Sequence, residues 1–349
     1  MRRRSDVSLS DTGRRFRVLL TGDNDSASAP NRTLTNALRR VGLDAEFRPD
    51  LPLVSGAQWL AELRNADAVI HLEYADRDPY SARQLAIATA LGRPVVRWWV
   101  GTDVLGCLQD PLLARKAGLI ARVVTASFAC AEHLVDELAG IGIETRFIPS
   151  PLDANLLPKE AILPEVPRSV LVYLPAHRLE FYGAGVVREI AEWNPDLKFV
   201  IVGDESHHLR DLPNVLSLGW ISDMSRLYQQ IGCVLRITAH DGLPRIVIDA
   251  LQRGRYVIYS WPLEGCWLAK TAREAHEKLR LFRQTEGPNR AGAEVIARLY
   301  DPPPEVRYEQ LLKMESRIHL SRRGAALAIA AALTIRARLR NVRRGRSGS

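Results

Sequence analysis

The chain has 349 residues, too many for one ordinary hydrophobic core and well suited to two domains. Apolar residues make up 46% and charged residues 25%, a globular balance that excludes a disordered or fibrous chain. The formal net charge is +8; much of it sits at the ends, in Arg2, Arg3 and Arg4 and then in Arg336, Arg338, Arg340, Arg343, Arg344 and Arg346. No aromatic residues interleave with this charge, which argues against nucleic acid.

Cys107, Cys130, Cys233 and Cys266 are far apart and form no C-x-x-C pair, so reduced thiols are expected. Met1-Arg-Arg-Arg-Ser-Asp is followed by no apolar stretch, unlike a secretory signal. The longest apolar run, Gly324 to Ile335, falls short of the ~20 residues that span a bilayer. The expected location is the cytoplasm.

In chain order, the first half alternates β-branched runs with amphipathic stretches. Strands are predicted at 17–22, 44–48, 67–73, 94–100, 122–127 and 145–148, and helices at 32–41, 81–91 and 130–139. This alternation predicts a parallel sheet with right-handed crossovers, a Rossmann-like domain over 16–150 behind a basic tail, 1–15. Pro149, Pro151, Pro158, Pro164 and Pro167 then break the period, and 151–167 reads as a linker. The alternation restarts over 168–305, with strands at 169–174, 198–203, 215–218, 234–238 and 256–260 and helices at 185–193, 223–230, 244–254 and 290–300. Residues 306–349 read as helical and basic. Two α/β domains imply a cleft, with ligands beyond the C-terminal ends of the strands.

The most informative segment runs from Val234 to Ile258. A buried strand ends near Thr238, and the polar turn His240-Asp241-Gly242-Leu243 follows. Pro244 suits the first position of a helix, where its missing N–H costs nothing. The N–H groups at that helix start attract an anion such as a diphosphate. Asp241, in the loop, is placed to accept hydrogen bonds from sugar hydroxyls, and Asp249 lies further along the helix. The plainer reading makes Asp241 a helix cap and Asp249 a surface carboxylate.

This segment resembles the donor-binding segment of retaining GT-B glycosyltransferases of family four, in which two acidic residues are separated by seven positions. Here both are Asp rather than Glu. The resemblance implies that Asp241 holds the donor sugar and Asp249 the ribose, with Gly242, Leu243 and Pro244 lining the donor. It extends to Val170–Arg178, Phe181-Tyr182-Gly183 and Lys198–Gly203. In the family a Lys just before that glycine and an Arg upstream clamp the diphosphate. Tyr182 stands at the lysine position, so Arg178 and Arg236 are the candidate cations, with Arg245 behind them. Asn214–Met224 is similar to the nucleobase loop, in which Trp220 or Ile221 packs on the base.

In the first domain, Trp98–Val104 resembles the cleft wall of the family. Asp103 there either orients the acceptor hydroxyl or takes its proton, or it caps the following helix. Gly22 ends the first strand and would let backbone approach a ligand, but no G-x-G-x-x-G follows it. Asp23 and Asp25 are too weakly patterned to be metal ligands. Asp76-Arg-Asp78 precedes a proline and is not read as a metal motif.

The resemblance thus implies an α/β protein of GT-B type, two Rossmann-like domains facing across a cleft with a C-terminal helical segment. It implies transfer from a UDP- or GDP-sugar to an acceptor hydroxyl, with retention and with neither metal nor cofactor, in the synthesis of a bacterial polysaccharide, glycolipid or other glycoconjugate. A non-catalytic nucleotide-sugar binding protein and a sugar-nucleotide epimerase are the alternatives. Two expectations stand for the tail: packing back on the first domain for 310–335, and disorder or peripheral contact with an anionic membrane for the last residues.

Overall fold

The computed structural model describes residues 15–22, 30–49, 55–72, 79–152, 162–314 and 320–346. The basic segment 1–14, Asp23 and Asp25, Asp76 and Asp78, and Pro158 lie outside them, as do the side chains of the arginines from Arg336 onward. The chain divides into two compact units, Met1–Asp153 with Pro302–Ser349, and Ala154–Asp301.

The first unit runs β1 (Arg17–Thr21), α1 (Pro30–Arg40), β2 (Asp44–Arg48), α2 (Gly56–Asn65), β3 (Ala68–His71), α3 (Pro79–Ala90), β4 (Val95–Trp99), α4 (Thr102–Gln109), α5 (Pro111–Val123), β5 (Ala126–Ala129), α6 (Glu132–Gly140) and β6 (Arg146–Phe147). Its sheet is parallel, in the order β2-β1-β3-β4-β5-β6. β3 and β4 are buried along their whole length, as expected of strands with helices on both faces. The predicted strand at 122–127 is displaced. The Asp110 carboxylate accepts the Leu112 N–H and Pro111 opens α5, whose period carries Ala117, Ile120 and Val123 into the core. The strand begins only at Ala126.

The second unit runs β7 (Ser169–Tyr173), a single 3-10 turn at Ala176–Arg178, α7 (Ala184–Glu192), β8 (Lys198–Val202), β9 (Val215–Ser217), α8 (Ser225–Gln229), β10 (Cys233–Arg236), α9 (Arg245–Gln252), β11 (Tyr256–Tyr259), β12 (Trp267–Leu268), α10 (Ala272–Arg283) and α11 (Arg290–Leu299). Its strands are ordered β12-β11-β10-β7-β8-β9, all parallel. The order reverses between β7 and β10, so the loops after these two strands flank the position where open α/β sheets bind ligands. The segment 162–167, read as linker, packs on this unit: Arg255 donates to the Glu165 carbonyl, and a Cβ on Gly232 would lie 2.1 Å from the Pro167 carbonyl oxygen.

Helices α12 (Pro304–Met314) and α13 (Leu320–Arg346) belong to the first unit. Tyr308 packs edge-on against Trp98 and Phe128. In α13, Ala326 and Ala330 are buried, and their small side chains let the helix lie close on α3. The Arg323 Nε donates to the Ala90 carbonyl at 3.1 Å. Leu327 and Ile335 point outward, 63% and 58% exposed. No helix among the described residues is long and apolar enough to cross a membrane.

Candidate functional site

The loop after β10 gathers the residues that the sequence singled out. β10 is wholly buried, including its last residue, Arg236. The Arg236 Nε donates to the Asp241 Oδ2 at 2.8 Å, with side chains 7% and 13% exposed. Tyr182 lies under the guanidinium at 4.6 Å and Tyr173 at 5.6 Å, both attracting the cation through their ring faces. Burial works against the charge of Arg236, and the neighbouring Asp241 outweighs it, so its pKa is raised. The Gly242 N–H donates to the Asp241 Oδ1 at 3.1 Å, and the Tyr259 hydroxyl donates to the Gly242 carbonyl at 3.2 Å. Asp241 and Gly242 are therefore held from both sides.

The loop after β7 lies against this turn. The Ala239 N–H donates to the Phe181 carbonyl at 2.9 Å. Gly183 sits at φ +70°, and a Cβ there would come within 2.8 Å of the Ile237 carbonyl oxygen; only glycine fits that conformation and spacing. Arg178 stacks on Phe181 at 3.8 Å, next to Tyr182. It makes no ion pair with any described residue. Tyr182, which the sequence places at the lysine position, and Tyr173, which the sequence did not single out, complete the surroundings of Arg236. An arginine closing a buried strand does predict an aromatic or acidic neighbour, but not which one.

Helix α9 begins at Arg245. Pro244 precedes it in an extended conformation (φ −72°, ψ 134°) and is the residue before the first turn, one position earlier than expected. No side chain caps this end, which leaves early N–H groups open for an anion. Val247, Ile248, Ala250 and Leu251 bury one face. Gly254, at φ +70°, closes the other end as its N–H bonds the Leu251 carbonyl and that of Arg255 bonds the Ala250 carbonyl. Asp249 faces two arginines: the Arg245 Nε donates to its Oδ1 at 2.7 Å, and the Arg253 Nη1 lies 3.7 Å away. Burial raises the Asp249 pKa above the usual carboxylate range despite these cations. The Arg245 Nη2 is shielded from solvent and lacks a hydrogen-bond partner among the described residues.

Leu243 is half-buried. Trp220 is 64% exposed and Ile221 half-buried. Both follow Gly219, at φ +65°, whose carbonyl accepts the Gly203 N–H at 2.7 Å. The structure thus brings Arg178, Arg236, Asp241 and Gly242 together around the ends of β7 and β10. It sets Pro244, Arg245 and Asp249 on or beside α9, and Trp220 and Ile221 on the loop after β9.

The two residues singled out in the first unit have different surroundings. The absent Cβ of Gly22 would lie 1.7 Å from the Leu72 carbonyl oxygen and 2.7 Å from the Asn31 Nδ2, so the close backbone approach there is to the chain itself. Gly22→Ala is expected to lose about 3 kcal/mol through forced backbone displacement. Chemical denaturation checks this, and a loss below about 1 kcal/mol would contradict it. The sequence leaves two roles open for Asp103, acceptor-side group or helix cap. Its carboxylate is buried and accepts the N–H groups of Gly101 (2.9 Å), Val104 (3.0 Å) and Val100 (3.1 Å), with the Arg97 Nη2 at 3.4 Å. These are the bonds of a brace for the turn into α4.

Solved structures share this fold. HepE from Anabaena, in complex with UDP, superimposes with a TM-score of 0.64 at 13% identity, over 86% of this chain and 99% of that one. Sucrose-phosphate synthase from Thermosynechococcus elongatus gives 0.67 at 13%, over 86% and 99%. A glycosyltransferase from Rickettsia africae gives 0.57 at 11%, over 92% and 99%. At these identities the likeness concerns the fold: an α/β protein of GT-B type with two parallel six-stranded sheets. No family model matches the sequence, and no curated protein matches it either.

Proposed function

We propose that this protein is a glycosyltransferase that moves a sugar from a nucleotide diphosphate donor to an acceptor hydroxyl, with retention of configuration and without a metal ion. The observation that carries the proposal is the turn Asp241-Gly242, anchored by Arg236 at the sheet's switch point and followed by an uncapped helix N-terminus. A diphosphate needs donors that stabilise the charge growing on it as the glycosidic bond breaks. The first N–H groups of α9 supply such donors, and the guanidinium groups of Arg245 and Arg178 supply cations. Asp241 holds the sugar hydroxyls, Asp249 the ribose, and Trp220 or Ile221 the base. The family resemblance of this segment supports these roles, as do the UDP and UDP-glucose bound in HepE. Gly22 and Asp103 serve to shape the first unit rather than to touch substrate. The acceptor belongs to polysaccharide or glycolipid synthesis at the inner face of a membrane, a reading supported by the outward Leu327 and Ile335 of α13 and the basic end of the chain.

The test is a panel of UDP-, GDP- and dTDP-sugars assayed for release of nucleoside diphosphate with and without mixed acceptor extracts, together with calorimetric binding. One donor is expected to bind and to turn over. Arg245→Ala is expected to weaken its binding about tenfold or more, the effect of one charge-assisted hydrogen bond. Neither binding nor release across the whole panel would overturn the proposal.

A further inference from the structure

The first unit carries a cavity of about 1170 Å³ that is open to solvent. It is bounded by α5, by the segment 141–146 that leads into β6, by the residues that open β5, and by the start of α13. Thr125 and Ala126 stand at the beginning of β5, and Thr145 and Arg146 at the beginning of β6, the end of the sheet opposite its ligand-binding loops.

The charge of this cavity is one-sided. Arg115, Arg122, Arg146 and Arg322, all exposed, line it, against one carboxylate among the described lining residues, Glu144. The Arg322 Nη1 is engaged by the Thr125 carbonyl at 2.8 Å. Arg115, Arg122 and Arg146 form no ion pair or side-chain hydrogen bond with any described residue. Elsewhere arginines find carboxylates: Arg17 with Glu46, Arg188 with Asp211, Arg283 with Asp196 and Arg298 with Glu264. The lining also holds an orphan, because the Thr145 Oγ1 is shielded from solvent and has no hydrogen-bond partner among the described residues. A shielded hydroxyl without a partner costs stability, and a ligand oxygen in the cavity would satisfy it.

We infer that this cavity is a second binding site, separate from the donor site, for a phosphate-bearing ligand. Guanidinium groups match phosphate oxygens in geometry and charge. The volume exceeds what one inorganic anion needs, which leaves room for an organic body attached to the phosphate. A soluble phosphate ester and the headgroup of an anionic lipid offer the same chemistry.

Two probes separate these sources, each applied to the full chain and to the variant Arg122→Gln/Arg146→Gln. The first is inorganic pyrophosphate, followed by calorimetry and by the amide shift of Thr145. The second is co-sedimentation with phosphatidylcholine vesicles with or without phosphatidylglycerol. Binding to at least one probe is expected to fall about tenfold or more in the variant, from the loss of two charge-assisted contacts, and to weaken as salt is raised. A fall confined to pyrophosphate identifies a soluble ligand, and one confined to phosphatidylglycerol vesicles a lipid; either supports the site. Thr145→Val provides the milder check, expected to weaken the same probe several-fold. The inference is overturned if the double variant, melting as the parent does, binds both probes unchanged. It is equally overturned if pyrophosphate binding is abolished by Arg245→Ala and untouched by the cavity variants while the vesicles are ignored.

Discussion

Asp241→Ala is expected to abolish turnover and, at the same time, to destabilise the second unit by about 3 kcal/mol. The second effect follows from Arg236. Its guanidinium lies at the end of a buried strand with the Asp241 carboxylate 2.8 Å away, and removing one member of a buried ion pair costs about 3–5 kcal/mol because the other charge is left uncompensated. The rings of Tyr182 and Tyr173 still face the cation, which places the loss at the lower end of that range. Turnover is expected to fall about a hundredfold or more, the usual effect of removing a group that contacts the reacting sugar.

The two losses can be separated. A buried ion pair replaced by neutral residues of similar shape is often no less stable than the original. Asp241→Asn combined with Arg236→Met is therefore expected to recover most of the stability lost in Asp241→Ala, read by thermal and urea denaturation. Turnover is expected to stay low, because the carboxylate is still missing. A double variant that is stable and turns over nearly as fast as the parent would show that Asp241 merely neutralises Arg236, and the sugar-holding role would fall.

The elements of this site were legible in the sequence to the extent that they are local. A buried apolar run, a polar turn with Gly242, a proline and an amphipathic stretch ending at Gly254 are all neighbours along the chain, and together they specify β10, its loop and α9. The pairing of Arg236 with Asp241 joins residues five apart, yet the sequence offers Arg236 as a phosphate clamp, because a buried strand does not by itself say which neighbour holds the charge of its arginine. Tyr173 escaped notice for a different reason: it becomes a neighbour of Arg236 only because β7 pairs with β10, a consequence of strand order. The same holds in the first unit. The β-branched run at 122–127 was read as strand from its composition, whereas Asp110 and Pro111 had already set a helical frame that carries through Val123. Helix α2 carries a legible signal, since Ser55 and Gln58 form a complete capping box. The cavity beside α5 had no sequence signature at all, since its arginines come from three segments that are distant along the chain.

Asp103→Ala is the other substitution with a large expected effect, and it separates the two roles that the sequence left open. Arg97 and Asp103 are 0% and 1% exposed in their side chains. The Arg97 guanidinium stacks on Trp99 at 4.1 Å and donates to the Trp98 carbonyl at 2.9 Å, so it cannot swing out to water without dismantling the end of β4. Removing the carboxylate takes a counter-charge from this buried cation and leaves three backbone N–H groups of the turn without that acceptor. The expected cost is about 3–5 kcal/mol, enough to lower the melting temperature markedly in a domain of this size. Asp103→Asn discriminates further. If Asp103 took a proton from the acceptor, the amide variant would lose turnover while keeping its fold. If it braces the turn, the amide retains one oxygen for the backbone donors, and turnover should decline only in step with stability. We expect the second pattern, because the carboxylate accepts from Arg97 and from the backbone N–H groups of its own turn. An Asp103→Ala protein that melts as the parent does would overturn it.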